Sequence, residues 1–180
     1  MNNNIISYFD MCAREGTSLQ RGMNFRLHGR HSVILMSVRP NAPYRDRLED
    51  DGAVLIYEGH DVPAQAGGPD PKTVDQVANL PSGKLTENGR FHEAAQALKA
   101  GRKQPDMVRV YEKIKAGIWS DSGYFQLVDS WVEHDGVRNV FKFKLLAVET
   151  AEEDVAAEDS TENNMDNSQH SNGNEKERNK

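Results

Sequence analysis

The sequence predicts an α+β fold, a twisted sheet or half-barrel with one or two flanking helices, and three observations predict it. Five short segments are rich in β-branched and aromatic residues and read as strands. One long stretch carries helical periodicity, and a second, shorter one opens the chain. The last strands are joined by a tight turn, so they pair antiparallel rather than through the helical crossovers of an α/β fold.

In chain order, residues 1–20 predict one short helix with Ile5, Ile6, Phe9 and Met11 on its apolar side, broken by Gly22. Ser32 to Val38 is an apolar run of β-formers and predicts a buried strand, stopped by Arg39-Pro-Asn-Ala-Pro43 because proline cannot donate to a ladder. A charged loop from Tyr44 follows, turns at Asp51-Gly52 and enters an apolar strand from Ala53 to Ile56 that ends at Tyr57, Glu58 and Gly59. Residues 59–84 are rich in glycine and proline, and a segment of this length without periodicity is either a functional loop or a surface excursion. Thr86 or Asn88 can then cap a helix reaching about Lys103, whose stripe is Phe91, Ala94, Ala95 and Leu98. Gly101 stands where a helix end favours it.

Three more strands complete the sheet. Met107 to Tyr111 is the first, and Tyr124 to Trp131 is the second, with Phe125, Leu127 and Trp131 on one face. Val140 to Leu145 is the third, with Phe141, Phe143 and Leu145 inward and Lys142 and Lys144 outward. Asp135-Gly136 supplies the hairpin turn.

Charge divides the chain. Residues 151–180 hold nine acidic and three basic side chains, a net of −6, whereas residues 1–150 hold nineteen of each. The acidity therefore belongs to the tail, and it is no argument against a polyanionic partner. The tail has no apolar periodicity and reads as a disordered tail or linker, which also explains a mean hydropathy as low as −0.75. The expected organisation is a helical lead-in over 1–21, one domain over 22–149, and the acidic tail over 150–180. With Cys12 as the single cysteine, no intrachain disulfide and no cysteine-rich zinc site can form. The amino-terminal residues lack a basic, apolar leader pattern, and no apolar run approaches the about 20 residues that span a bilayer. A reducing, intracellular location without membrane contact is the expectation.

Residues 44–60 carry the chemistry. They place two aromatic rings, Tyr44 and Tyr57, around acidic side chains, and two aromatic faces with a hydrogen-bonding carboxylate are what a flipped nucleobase needs from a pocket. The alternative is a β-turn with a solvated acidic edge and a tyrosine at a strand end.

The ordered motifs resemble the SRA domain (SET- and RING-associated, also called YDG), a reader of modified cytosine in DNA. The resemblance runs from about Gly22 to Glu149. It rests on His28-Gly29-Arg30 before the Ser32-Val-Ile-Leu strand, on Tyr44 with its acidic loop, and on Gly52 followed by Tyr57-Glu58-Gly59. It continues through Asp75-Gln76, Lys84-Leu85-Thr86 leading into Arg90, and Val108-Arg109-Val110, and closes with Gly123-Tyr124-Phe125 running to Trp131 and Phe141 to Leu145. The version here is more similar to prokaryotic modules that precede an HNH nuclease in modification-dependent restriction enzymes than to eukaryotic chromatin readers. What the resemblance implies is a PUA-like crescent of strands that grips duplex DNA and flips the modified base into a pocket.

By position, the resemblance implies that Tyr44 and Tyr57 sandwich the base and that Asp46 accepts from the cytosine amine. A carboxylate acceptor suits that donor and separates cytosine from thymine. Met36, Ser37 and Val38 would line the other side with main-chain groups, and Glu58, Gly59 and His60 complete the base-binding set. Arg26, Arg30, Arg39, Arg45, Arg47 and Arg90 would contact the DNA backbone. The chain departs from the eukaryotic pattern in a Tyr44–Gly52 loop one residue longer, in Glu58 for threonine, in His60 for serine, and in Asp121-Ser122-Gly123 for the Tyr-Asp-Gly signature. The departures at Glu58 and His60 extend the expected ligand from 5-methylcytosine to 5-hydroxymethylcytosine. No Asn-Lys-Arg finger stands in 59–84, and Gln65 and His60 are the residues available to fill the gap left by a flipped base.

The implied partners are double-stranded DNA with modified cytosine and a nuclease in another domain or subunit, in a bacterial, nucleoid-associated setting. No catalytic residue, cofactor or metal is expected. His28 and His31 stand at i, i+3 with Asp61 beside His60, but a metal site needs three or four convergent ligands. The competing class is a base- or nucleotide-processing enzyme on a PUA-like scaffold, with Glu58, Asp46 or His60 as acid or base.

Overall fold

A computed structural model describes residues 4–148 of the 180. The acidic tail expected over 150–180 lies outside the described residues. The strands are β1 (Asn4–Ser7), β2 (Met23–Asn24), β3 (Ser32–Met36), β4 (Arg47–Glu49), β5 (Val54–Glu58), β6 (Asp106–Lys115), β7 (Ile118–His134) and β8 (Asn139–Ala147). Two helices accompany them, α1 (Tyr8–Glu15) and α2 (Glu87–Lys99). All the strands belong to one open, mixed sheet of order β2-β3-β6-β7-β8-β5-β4, with β1 added on β7. The pair β3–β6 is parallel and every other pair is antiparallel.

The five strands read from the sequence are therefore present among eight. β1 and β4 have sequences that read otherwise. Ile5 and Ile6 were expected on the helix, yet they pair with Ser120 and Trp119 of β7. Both are β-branched and gain more from a ladder than from a short helix. The helix starts only after Ser7, whose hydroxyl accepts from the Asp10 N–H, and it stops at Gly16 (φ 68°), six residues before Gly22. Ile6 and Met11 are buried, but Ile5 and Phe9 are exposed, so the expected apolar side is only half correct.

The unbroken apolar run of β3 has a direct cause, because both of its faces are covered. Ile34 and Met36 point into the main core with Leu55, Tyr57, Phe91, Val108, Val110, Phe125, Leu127, Phe143 and Leu145. Val33 points the other way, into a second cluster with Ile6, Met11, Leu19, Tyr111 and Trp119. α2 closes the main core with Phe91, Ala94 and Ala95, and Thr86 caps it through the Gly89 N–H. Its end is a Schellman arrangement: Arg102 N–H bonds the Ala97 carbonyl and Gly101 N–H the Leu98 carbonyl, with Gly101 at φ 68°.

Two strand-facing expectations fail, each for a physical reason. Between Leu127 and Asp129 the β7–β8 register slips by one residue, a β-bulge that inverts the facing of everything beyond it. Phe125 and Leu127 point inward, but the next buried residue is Ser130 rather than Trp131. Lys142, expected outward, is on the other face of β8 yet is buried, because its ammonium pairs with Glu58 at 2.8 Å.

Phe91 sits fully buried between α2 and the sheet, with Phe25 and Phe143 edge-on at 5.3 and 5.8 Å. Replacing it with alanine should cost about 3–5 kcal/mol by denaturant unfolding, and a loss under about 1 kcal/mol would contradict this packing.

Candidate nucleic-acid interface

The Tyr44–Glu58 segment is a hairpin, β4 on β5, whose turn takes three consecutive left-handed residues: Asp50, Asp51 and Gly52. Aspartate and glycine are the residue types that tolerate this conformation. The loop before β4 is placed from below by carboxylates. Asp46 accepts from the Ser37 N–H and the Glu58 N–H, each at 3.1 Å, so it staples the end of β3 to the end of β5. Glu58 accepts from the Arg45 N–H at 3.2 Å and from the Lys142 ammonium at 2.8 Å.

Above this floor is a cleft of about 490 Å³. Tyr44, Asp46, Met36, Ser37, Arg39 and His60 line it. Tyr8, Leu19, Lys113 and Trp119, of the second cluster and its surroundings, also line it, as do Arg21 and Gly22. The Tyr44 ring is stacked against the His60 imidazole, with centroids 4.9 Å apart and planes 6° from parallel. The Lys72 ammonium also lies over the Tyr44 ring, 4.1 Å from its centroid.

Among the residues expected at the base, Tyr44, Asp46, Met36, Ser37 and His60 meet at this cleft, and four others do not line it. Tyr57 lies behind His60, fully buried, its hydroxyl donating to the Gly22 carbonyl at 3.2 Å and bonded to His60 Nε2 at 2.9 Å. The ring that faces Tyr44 is His60 rather than Tyr57. Glu58 supports the loop, and Val38 is exposed beside the cleft. Gly59 is a point of close approach, where a Cβ would lie 2.6 Å from Gln76 Oε1, 2.7 Å from Asn88 Oδ1 and 2.9 Å from Phe141 Cβ.

The arginines expected on the DNA backbone divide in the same way. Arg26, Arg47 and Arg90 are paired with Asp106, Glu49 and Glu87. Arg45 donates to the Asp135 carbonyl at 3.4 Å, and Arg30 is exposed away from the cleft lining. Arg39 lines the cleft and, like Arg21 and Lys113, makes no salt bridge among the described residues. The sequence reading did not single out Arg21, Lys113, Tyr8 or Trp119. Lys113 and Trp119 are cross-strand partners in the β6–β7 hairpin, but Tyr8 and Arg21 lie about a hundred residues earlier, and no local spacing joins the two groups.

The segment 59–84 is tied down rather than free. Arg138, buried in the β7–β8 turn, donates to the Pro71 and Val74 carbonyls and to Asp61 Oδ1 at 2.5 Å. Gln76 donates to the Gly59 carbonyl at 2.6 Å and accepts from the Phe141 N–H. Gln65 lies at an exposed bend of this segment. Of the histidines weighed as ligands, His31 bonds the buried Glu15 carboxylate at 2.7 Å. Among the described residues no group of three or more His, Cys, Asp or Glu is arranged to hold a metal ion.

Burial sets the protonation states. It pushes the Asp46 carboxyl up to about 6, against the opposing N–H bonds of Glu58 and Ser37. It pushes the His60 imidazole down to about 4, so the ring is neutral at physiological pH. Burial would also raise Asp61, but hydrogen bonds from Lys72, Arg138 and Gln76 outweigh it and hold that carboxyl below its usual value.

An open mixed sheet flanked by two helices is a PUA-like α+β fold, and it carries a cleft with one aromatic stack and one half-buried carboxylate. No protein-family model matches the chain, and no curated protein matches it either. Solved structures do. The SUVH5 SRA domain in a hemimethylated CG DNA complex aligns with a TM-score of 0.55 at 24% identity, over 82% of this chain and 88% of that one. SUVH5 SRA bound to fully hydroxymethylated CG DNA gives 0.52 at 25% identity, over 81% and 87%. KRYPTONITE in complex with mCHH DNA, H3(1-15) peptide and SAH gives 0.53 at 14% identity, over 84% of this chain and 34% of that one. The chain has the fold of an SRA domain.

Two outcomes follow from the geometry. The folded-state value near 6 for Asp46 lies above the ordinary 3.8, so ionising this group costs stability above about pH 6, and the cost disappears as pH falls towards 3.8. A carboxyl-carbon NMR titration should find its midpoint near 6, and a midpoint near 3.8 would contradict the burial. Gly59→Ala should destabilise the domain by about 1–3 kcal/mol through overpacking, read as a lowered denaturant midpoint at unchanged slope.

Proposed function

We propose that the domain binds duplex DNA carrying a modified cytosine, 5-methylcytosine or 5-hydroxymethylcytosine, and receives that base, flipped out of the helix, in the cleft beside Tyr44. The observation that carries this reading is that Tyr44 and Asp46 line one cleft together with three cations that make no salt bridge among the described residues. An aromatic face suits any base, and a carboxylate acceptor selects the exocyclic amine of cytosine. Asp46 already spends one acceptor site of each oxygen on a backbone N–H, which fixes its orientation and leaves the remaining lone pairs for the ligand. The SUVH5 SRA structures, which hold methylated and hydroxymethylated CG DNA, support the same reading.

In this reading Tyr44 stacks on the base, Asp46 accepts from its amine, and main-chain groups of Met36, Ser37 and Val38 border its edge. Tyr57, Glu58 and Gly59 act one layer down, as the floor that positions the loop and His60. Arg39, Arg21 and Lys113 contact phosphates, and Arg30 and Arg45 extend that contact. Arg26, Arg47 and Arg90 would first have to leave their carboxylates. The domain is a binding module, and we propose that it supplies specificity to a nuclease in another domain or subunit of a modification-dependent restriction system in bacterial cytoplasm. The likeness of the ordered motifs to prokaryotic modules, with the departures from the eukaryotic pattern at Glu58, His60 and the Tyr44–Gly52 loop, supports that assignment.

The test is a panel of otherwise identical duplexes with unmodified, methylated and hydroxymethylated cytosine at moderate salt. Modified duplexes should bind more tightly, and equal affinity across the panel overturns the reading. Tyr44→Ala should weaken binding to the preferred duplex by roughly tenfold, since base–aromatic stacking contributes about 1–3 kcal/mol. Binding to unmodified duplex, carried by phosphates, should change little and fall steeply with salt. Tyr44 is the better probe because Tyr57 is part of the core, so its substitution reports first on stability.

A further inference from the structure

We propose that His60 is a place-holder for the base: its imidazole covers Tyr44 in the DNA-free domain and leaves that ring when a flipped pyrimidine enters. This rests on the reading that the cleft receives a flipped base, and it assigns His60 the part of a competitor rather than a wall of the pocket. The Tyr44–His60 stack has a centroid separation of 4.9 Å at 6°. Aromatic surfaces touch at about 3.5–4 Å, so a base between two rings needs them roughly 7–8 Å apart. No base fits between Tyr44 and His60 as they stand.

The surroundings of His60 are built so that the ring can move while its backbone cannot. Asn88, itself buried, accepts from the His60 N–H and donates to the His60 carbonyl, both at 2.8 Å. The main chain is thereby clamped, and rotation of the side chain is the freedom left. Among the described residues one hydrogen bond holds the ring, 2.9 Å from Nε2 to the Tyr57 hydroxyl. That hydroxyl also donates to the Gly22 carbonyl, so it keeps a partner when the imidazole departs. Departure therefore leaves no buried Tyr57 hydroxyl unsatisfied, which is the usual large penalty of such a movement. Because the imidazole is neutral, it carries no charge into its new position.

Both the seat and the destination are visible. A Cβ on Gly22 would lie 2.6 Å from His60 Nε2 and 2.8 Å from Cε1, so the seat exists only because residue 22 is glycine. On its other side His60 lines a second cleft of about 590 Å³ with Arg21, Asp61, Val62, Pro63 and Arg90, which has room for an imidazole. Every base that enters must displace the same stack and the same hydrogen bond. A duplex whose base adds no further contact is bound through its phosphates instead, and one whose base gains burial from a methyl or hydroxymethyl group overcomes the displacement.

The test uses the full chain and has two arms. In the first, the ring-proton NMR signals of His60 in the wild-type protein should show a ring-current shift from Tyr44 without DNA, lost on adding a duplex with one 5-methylcytosine. In the second, His60→Ala should bind that duplex roughly three- to tenfold more tightly, the range expected from removing one aromatic stack, with unmodified duplex unchanged. A retained His60 shift in the complex, or His60→Ala binding modified duplex equally or more weakly, overturns the place-holder while the preference for modified DNA stands. A wild-type chain with no such preference overturns both. The first arm needs no variant and stands even where His60→Ala alters the fold.

Discussion

Buried charges in matched pairs underlie the candidate site, and the rest of its geometry depends on them. Glu58 and Lys142 meet at 2.8 Å across the β5–β8 pair, and Arg138 meets Asp61 at 2.5 Å one step further along. An isolated buried ion costs several kcal/mol, and the attraction of a pair roughly offsets that cost rather than adding stability. What the pairs supply is position. Glu58 carries the backbone of Arg45, Asp61 carries Lys72 and the hydroxyl end of Tyr44, and Arg138 carries the carbonyls of the 71–74 segment. Removing either partner would strand the other, so loop, carboxylate and aromatic ring form one unit. Arg138 Nε, buried without a hydrogen bond and 3.8 Å from Asp135, is the one imperfect place in that unit among the described residues.

The cleft lies where two apolar clusters meet. β3 and β6 send alternate residues to opposite faces, Ile34 and Val110 to the main core and Val33 and Tyr111 to the second cluster. The second face would be open without β1, α1 and the turn to Leu19. That segment thus lines part of the cleft as well as covering the sheet, bringing Tyr8 and Leu19 to the same cleft as Tyr44. Its own anchor is the buried Glu15 carboxylate, which accepts from Tyr111 Oη at 2.6 Å and bonds His31 at 2.7 Å.

Electrostatics at the cleft depends on which cations are free rather than on how many there are. Residues 1–150 are charge-balanced, and Arg26 and Arg47 are already committed to carboxylates. A guanidinium without a carboxylate partner reaches a phosphate without breaking an ion pair, whereas Arg26 would have to give up two bonds to Asp106. The positive character of the cleft therefore comes from Arg21, Arg39 and Lys113, two of which flank turns.

The sequence by itself determined the parts of the molecule that rest on local patterns. The apolar run of β3, the alternation of Phe141, Phe143 and Leu145, the Thr86 cap and the Asp135-Gly136 turn each follow from period or turn chemistry within a few residues. The ordered motifs also named the fold. Only the tertiary structure decided which residues face the cleft. The bulge at Val128 moved Trp131 off its expected face, and pairing with β7 turned Ile5 and Ile6 from helix to strand. Lys142 is buried because Glu58 lies across the ladder, and Tyr57 is hidden because Gly22, thirty-five residues away, leaves room for His60 between it and the ring of Tyr44. A ladder register, a buried counter-ion and a missing Cβ are relations between distant positions, and no single segment of the chain contains them.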